Sequence, residues 1–407
     1  MENEAYRSQG DEGALGQSSP LPSSLSTYER LVSDALEGRL PHAVMLCGGE
    51  GSGALALAVA FARFLLCKGR AGRPAETGLF GPTEPVPPLR HACGHCPACA
   101  MTSQLQHPDL HFVFPIYKKG GKPTACDDFL DAWREWLLSD PYGGFPEWIT
   151  ATKADRQQLA IFAEESDAVG RKLSLKSNQG GWKVCLIWLP EKMHPACANK
   201  LLKLFEEPPA HTFFLAVSER PEQVLETVRS RLQQINVPPP SDDDVEQALA
   251  GRYGVLPAEA RRIARGAYGN LSAALRAITS GGAQEEDLDL FKDIMRACYG
   301  RRVRDMKLWS ERLASVGRER QRAFLAYALR MVRENFVHNL SEPSLTHMSE
   351  EELAFAGRFA PFINENNILP LTRQLERAWR DIAQNANAKI LFFDLALQLT
   401  VLIRRPR

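Results

Sequence analysis

The sequence predicts an α/β fold, a mostly parallel and doubly wound sheet followed by an all-helical C-terminal part. Three observations carry this expectation. The runs AVMLC (43–47), the apolar part of HPDLHFVFP (107–115), WKVCLIWL (182–189) and HTFFLAVS (211–218) have the unbroken apolarity of strands buried on both faces. Helix-like stretches alternate with those runs, as crossovers between parallel strands require. From about Leu288 onward the pattern is helical throughout, with Leu325, Leu329, Val332 and Phe336 on one face and ILFFDLALQLTVLI apolar enough for a buried helix.

The elements follow in order. Residues 1–27, rich in Ser, Gly and Glu, predict a loose tail. An amphipathic helix is expected from about Tyr28, a break at Gly38 to Pro41, the first strand at Ala43 to Cys47, and a helix from about Ala54 to Cys67. The stretch 68–90 is turn-rich, and 116–181 offers helices around Asp127 to Leu138 and Arg156 to Val169. Pro208 and Pro209 stop a helix over 194–207. A helix to about Arg231 and the strand QQINV complete a sheet domain spanning 28–238. PPPSDDD, with Ser241 as helix cap, opens a small helical unit over 239–283, and SGGAQEED separates it from a helical region over 284–407.

Composition narrows the function. The 407 residues suffice for two or three domains, and 49 basic residues balance 49 acidic ones, so no overall field recruits nucleic acid or an anionic membrane. No apolar run reaches the roughly 20 residues of a membrane span, and the N-terminus lacks the layout of a secretion signal. A cytoplasmic location is expected, where nine cysteines serve as thiols or metal ligands rather than disulfides.

CGGEGSGALALA (47–58) has the strand, glycine loop and helix of a phosphate-binding loop. Gly48, Gly49, Gly51 and Gly53 keep its backbone part, but Ala54 and Leu55 stand where the lysine and the magnesium-binding hydroxyl belong. An ordinary glycine turn is the plain alternative. The acidic pair expected at the end of a later strand falls on Trp188 and Leu189, with Glu191 displaced toward the next helix as a capping or surface carboxylate. Both losses predict a chain that does not hydrolyse ATP.

Cys93, Cys96 and Cys99, spaced C-x2-C-x2-C, predict a structural zinc site that lacks a fourth ligand. Cys47, Cys126, Cys185, Cys197 and Cys298 read as buried fillers or surface thiols. Glu206 and Glu207 point about 100° apart on a helix, so they form a helix terminus and interface element rather than a catalytic pair. His107 and Asp109 read as turn and helix-start residues.

GRLPHAVMLCGGEGSG, the cysteine cluster, HPDLHFVFP, EKMHPACANKLLKLFEEPPAHTFFLAVS and LETVRSRLQQI occur in this order. Together they resemble the delta-prime subunit family of the bacterial DNA polymerase III clamp loader, within the AAA+ superfamily. The resemblance covers 28 to about 238; beyond 240 it rests on architecture and on ARGAYGNLSAAL.

It implies a RecA-like AAA+ domain with a zinc insertion at about 67–99, a small helical lid and a C-terminal helical collar. It also implies a heteropentamer with gamma or tau and delta, which loads the sliding clamp onto primer-template DNA while this subunit remains without ATP hydrolysis. The family places the fourth zinc ligand upstream, where Cys67 stands, with His91 and His95 as substitutes. Its Ser-Arg-Cys motif falls on Ser230-Arg231-Leu232, making Arg231 an arginine finger donated to a neighbouring ATP site. A surface arginine near a helix end is the plain alternative, and Arg229 lies out of register. The second sensor arginine is replaced by Ser272, with Arg265 and Arg276 on other turns. The rivals are a gamma/tau-like or independent AAA+ ATPase with a non-standard loop, and a zinc-ribbon nucleic-acid protein.

Overall fold

A computed structural model of the chain describes residues 20–72, 77–78, 81–82, 87–118, 120, 124–154, 157–178, 181–279, 283–340, 346, 348–384 and 386–404. Residues 1–19 of the expected tail lie outside these. The rest of that stretch is structured: a 3-10 turn at Pro22–Ser24 leads into helix α1 (Leu25–Leu36), which buries Tyr28, Leu31 and Val32. By its contacts the chain falls into two compact units, one reaching to Gly254 and including Gly269–Ala273, the other formed by Val255–Tyr268 and the chain from Ala274 onward.

The first unit is built on five parallel strands: β1 (Ala43–Cys47), β2 (Leu110–Val113), β3 (Lys183–Trp188), β4 (Thr212–Ser218) and β5 (Gln233–Asn236), in the order β2-β3-β4-β1-β5. Register sets Leu215 opposite both Val44 and Leu186. Alternate residues therefore serve two cores. Val44, Leu46, Val184, Leu186, Phe213 and Leu215 pack with α1 and the helices α2 (Ala54–Leu66) and α4 (Leu130–Ser139). Met45, Cys47, Cys185, Ile187, Phe214 and Ala216 face α6 (Ala163–Ser174) and α7 (Pro195–Glu206). The shorter helices α3 (Pro97–Ser103), α5 (Phe145–Ala151) and α8 (Glu226–Arg229) lie in the connections, and α9 (Asp242–Tyr253) follows the sheet, capped by Ser241 as expected.

Helix α6 departs from the sequence pattern. It starts at Ala163 rather than near residue 156, because the preceding residues are drawn into extended pairing. Ala160 exchanges backbone hydrogen bonds with Ile116, and Ile161 donates to Lys192 O and accepts from His194 N. Tertiary bonding here overrides helical propensity.

In the second unit α10 (Pro257–Ala267) and most of α11 (Leu271–Thr279) are followed by α12 (Ala283–Tyr299), α13 (Val303–Ala314), α14 (Arg318–His338), α15 (Glu350–Phe359), α16 (Ile368–Ala383) and α17 (Ala388–Leu402). Phe291, Phe324, Leu325, Met331 and Phe392 form its core, and Leu329 and Phe336 pack on it as the periodicity predicts. Glu352, itself buried, accepts from Tyr327 Oη at 2.9 Å and pairs with Arg330. Helix α17 is not buried all round. Phe392, Leu395 and Leu399 enter the core, while Ile390 (70% exposed), Leu397 and Val401 (64%) face outward.

Candidate functional site

Strand β1 delivers the chain into the glycine loop at the head of α2. Gly53 caps that helix with φ +78° and Gly51 has φ +72°, a left-handed geometry that disfavours a side chain. Other parts of the chain pack on the loop at Gly51 and Gly53, while Gly49 faces open space. A Cβ on Gly53 would meet Leu21 at 3.1 Å and the Tyr142 ring at 3.4 Å; one on Gly51 would meet Asn270 Oδ1 at 2.1 Å and Leu271 N at 2.6 Å. Leu271 N donates to Gly51 O, and Ser272 Oγ donates to Tyr142 O at 2.5 Å. Tyr142 is held by Arg252 stacked on its ring at 4.9 Å, and Asp140 beside it accepts from Tyr142 N and Tyr253 Oη, both at 3.0 Å.

The cavity left over the loop is about 20 Å³. That is room for about one water, against the ~300 Å³ or more of a pocket for a small organic ligand. Ala54 and Leu55 are both buried in the core.

At the end of β3, Trp188 is enclosed by Trp133, Trp136 and Phe145, with ring centroids 5.1–6.3 Å away. Leu189 turns with φ +56° and is buried. Glu191 is a bracket: it accepts from Ser218 Oγ (2.9 Å), Glu219 N (3.0 Å) and Arg220 N (3.1 Å), tying the turn after β3 to the end of β4. Glu219 also lines the small cavity. Burial, reinforced by the Glu50 and Glu191 carboxylates, pushes its pKa up to about 8.

The four thiols of Cys67, Cys93, Cys96 and Cys99 lie within 4.8 Å of one another and could hold a metal ion. Cys93 Sγ and Cys99 Sγ are 3.8 Å apart, the edge of a tetrahedron with bonds of about 2.3 Å, as zinc thiolates make. Cys93 N donates to Cys67 Sγ at 3.3 Å and Cys99 N to Cys96 Sγ at 3.4 Å, bonds that favour thiolates. His91 and His95 are outside the cluster; His95 Nδ1 contacts Cys93 O instead. The middle of the segment between Cys67 and Cys93 (73–76, 79–80 and 83–86) is outside the described residues.

Arg231 sits between α8 and the edge strand β5. Its neighbours Val228 and Leu232 are buried, so Leu232, where the motif has cysteine, serves the core and leaves the arginine outside. The guanidinium donates from Nε to Glu206 Oε1 at 2.8 Å, from a terminal nitrogen to the same carboxylate, and from the other to Thr227 O at 2.7 Å. Arg229 turns away to pair with Glu226.

His107 and Asp109 build a turn, with Asp109 N donating to His107 Nδ1 and the Asp109 carboxylate accepting from Ser177 and Asn178. Cys47, Cys126, Cys185, Cys197 and Cys298 are all buried. Sequence reasoning passed over Leu21, Tyr142, Asn270 and Glu219, since nothing local marks residues that fill a loop from elsewhere in the chain.

The sequence profile of the family described as DNA polymerase III, delta subunit, matches residues 24–241, more than half of the chain. The chain belongs to this family. Curated relatives are DNA polymerase III delta' subunits. That of Escherichia coli K12 is 29% identical over 215 residues (53% of this chain, 48% of its own length), and that of Pseudomonas aeruginosa PAO1 is 29% identical over 235 residues (57% and 55%). The chain spans about half the length of the curated relatives it matches. Among solved structures, a DNA polymerase III gamma subunit-related protein of Thermotoga maritima covers 94% of this chain and 100% of its own at 15% identity, with a TM-score of 0.35. Among the described residues no helix is long and apolar enough to cross a membrane.

Proposed function

We propose that this chain is a delta-prime-type clamp-loader subunit of the DNA polymerase III holoenzyme. It does not hydrolyse ATP, and it donates Arg231, with Ser230 beside it, to the ATP site of a neighbouring subunit. The observation that carries the reading is the pairing of a glycine loop filled by Leu21, Tyr142 and Asn270 with a partly exposed arginine on the edge of the same sheet. A domain that cannot seat a nucleotide but presents a guanidinium is suited to completing another domain's site. Its neighbours are gamma or tau and delta in a cytoplasmic heteropentamer that places the sliding clamp on primer-template DNA. Residues 28–238, 239–283 and 284–407 act as AAA+ domain, lid and collar. The outward row of Ile390, Leu397 and Val401 on α17 supports a role for the last of these in assembly.

The deciding experiment is clamp- and primed-DNA-stimulated ATP hydrolysis by a loader reconstituted from cognate gamma or tau, delta and this chain. Arg231→Ala is expected to slow hydrolysis at the site it serves by about 10³-fold with assembly intact. A rate equal to wild type would remove the finger, and failure of the wild-type chain to assemble would remove the clamp-loader reading itself.

Cys67, Cys93, Cys96 and Cys99 would hold one structural zinc, which when bound ties the turn-rich segment to the end of α2 in place of a disulfide. Metal analysis is expected to give one zinc per chain, lost in Cys99→Ala together with protection of residues 87–98 from proteolysis. A zinc-free wild-type chain of equal stability would refute this.

A further inference from the structure

We infer that Glu206 is the positioning residue for Arg231, setting which edge of the guanidinium faces a partner. The inference rests on the reading of Arg231 as a donated finger and assigns a second residue to that site. A guanidinium carries five N–H donors in one plane. Three are committed here within the chain: the Nε donor and one on a terminal nitrogen to Glu206 Oε1, and one on the other terminal nitrogen to Thr227 O. Ser230 Oγ, 3.5 Å from that last nitrogen, is too far to hold it firmly. Two donors, one on each terminal nitrogen, remain for an outside acceptor.

The bracket comes from two separate elements. Glu206 is the last residue of α7, and Thr227 lies within α8, which runs into Arg231. Two of the plane's three nitrogens are thus held by α7 and the third by the backbone of α8. An arginine on a freely rotating stem gives up side-chain freedom each time it reaches a phosphate; one bracketed in this way has given it up beforehand. The carboxylate and guanidinium are half exposed and one-third exposed, respectively, so the pair adds little to the stability of the chain. Its effect lies in orientation. Phosphate oxygens approaching the two remaining donors meet a plane of fixed direction, and the charge of Glu206 keeps the arginine from turning toward other carboxylates before the neighbour docks.

The test uses the reconstituted loader with four forms of this chain: wild type, Arg231→Ala, Glu206→Ala, and the double variant. Glu206→Ala is expected to lower the rate at saturating ATP by about 5- to 10-fold while the ATP concentration for half-maximal rate changes less than about twofold, because the finger is misdirected and ATP binding by the neighbour is not. Glu206→Gln, which keeps the length and an acceptor for the Nε donor, is expected to recover the rate to within about threefold of wild type. In the double variant the loss is expected to equal that of Arg231→Ala alone, since a residue that acts only through Arg231 has nothing left to position.

Losses that multiply, or a Glu206→Ala subunit that no longer assembles, would overturn the inference by giving Glu206 a task of its own. A wild-type rate in Glu206→Ala beside a slow Arg231→Ala would overturn it while leaving the finger in place. A wild-type rate in Arg231→Ala would remove the finger, and the positioning role with it.

Discussion

The loop at the end of β1 and the arginine before β5 lie on neighbouring strands of one sheet, and they have been treated in opposite ways. The loop has the glycine spacing of a phosphate-binding loop, and distant residues pack on part of it: Leu21 and Tyr142 lie on the head of α2, Asn270 and Leu271 on Gly51, and an aromatic cluster stands at the end of β3. The arginine kept a polar, solvent-facing setting, with its buried neighbours turned inward. A glycine loop can be packed over by residues from far along the chain while an arginine one strand away stays open to solvent.

Measurements can separate the two ends. The largest effect is expected from placing an acid at the end of β3. Trp188→Asp removes a fully buried indole and puts a carboxylate among Trp133, Trp136 and Phe145, at a cost of about 5 kcal/mol, comparable with the whole stability of many domains. Denaturant melts of the variant are expected to show an unfolded or strongly destabilised first unit. A stable variant that gained ATP binding would show that the packing around the loop does not keep nucleotide out.

A smaller effect is expected at Glu219. Its carboxyl is raised to about 8, so the proton it retains in the fold is lost from the unfolded chain above about 4.5. The contribution to stability is full below that value and disappears as pH rises through 8. Glu219→Gln is therefore expected to melt with wild type at pH 4 and a few degrees above it at pH 8.5. Parallel melting curves across that range would show that the carboxylate cluster at the loop carries no strain.

The smallest effect belongs to the other end. Arg231→Ala should change the melting temperature of the isolated chain by less than about 2 °C, since an exposed ion pair contributes roughly 0–1 kcal/mol. A large shift would make the arginine a structural residue like those of the loop.

How much of this was legible in the sequence depended on how local each cause is. The strands were legible because burial on both faces demands unbroken apolar runs, and β1, β3 and β4 fall within the expected limits. The cysteine trio was legible because metal geometry imposes short spacings; Cys67 needed the family resemblance, as nothing local links it to Cys93. The start of α6 was not legible, because Ala160 and Ile161 are held by Ile116, Lys192 and His194. Tyr142 and Asn270 escaped for the same reason, each packing on the loop from far along the chain. Glu206 was read as a helix terminus, with no hint that its partner lies 25 residues further on. Ala54, Leu55 and Trp188 were visible as departures from the motif, but the packing around them had to be seen in the structure.

Helix α17 carries a consequence for the life of the chain in a cell. Ile390, Leu397 and Val401 recur at helical spacing on its outer side, so a copy made without partners displays the kind of surface that chaperones and proteases sample. As the loader subunit proposed above, it should be scarce when synthesised in excess and persist when made alongside that complex, its abundance set by the number of places available to it rather than by its own rate of synthesis.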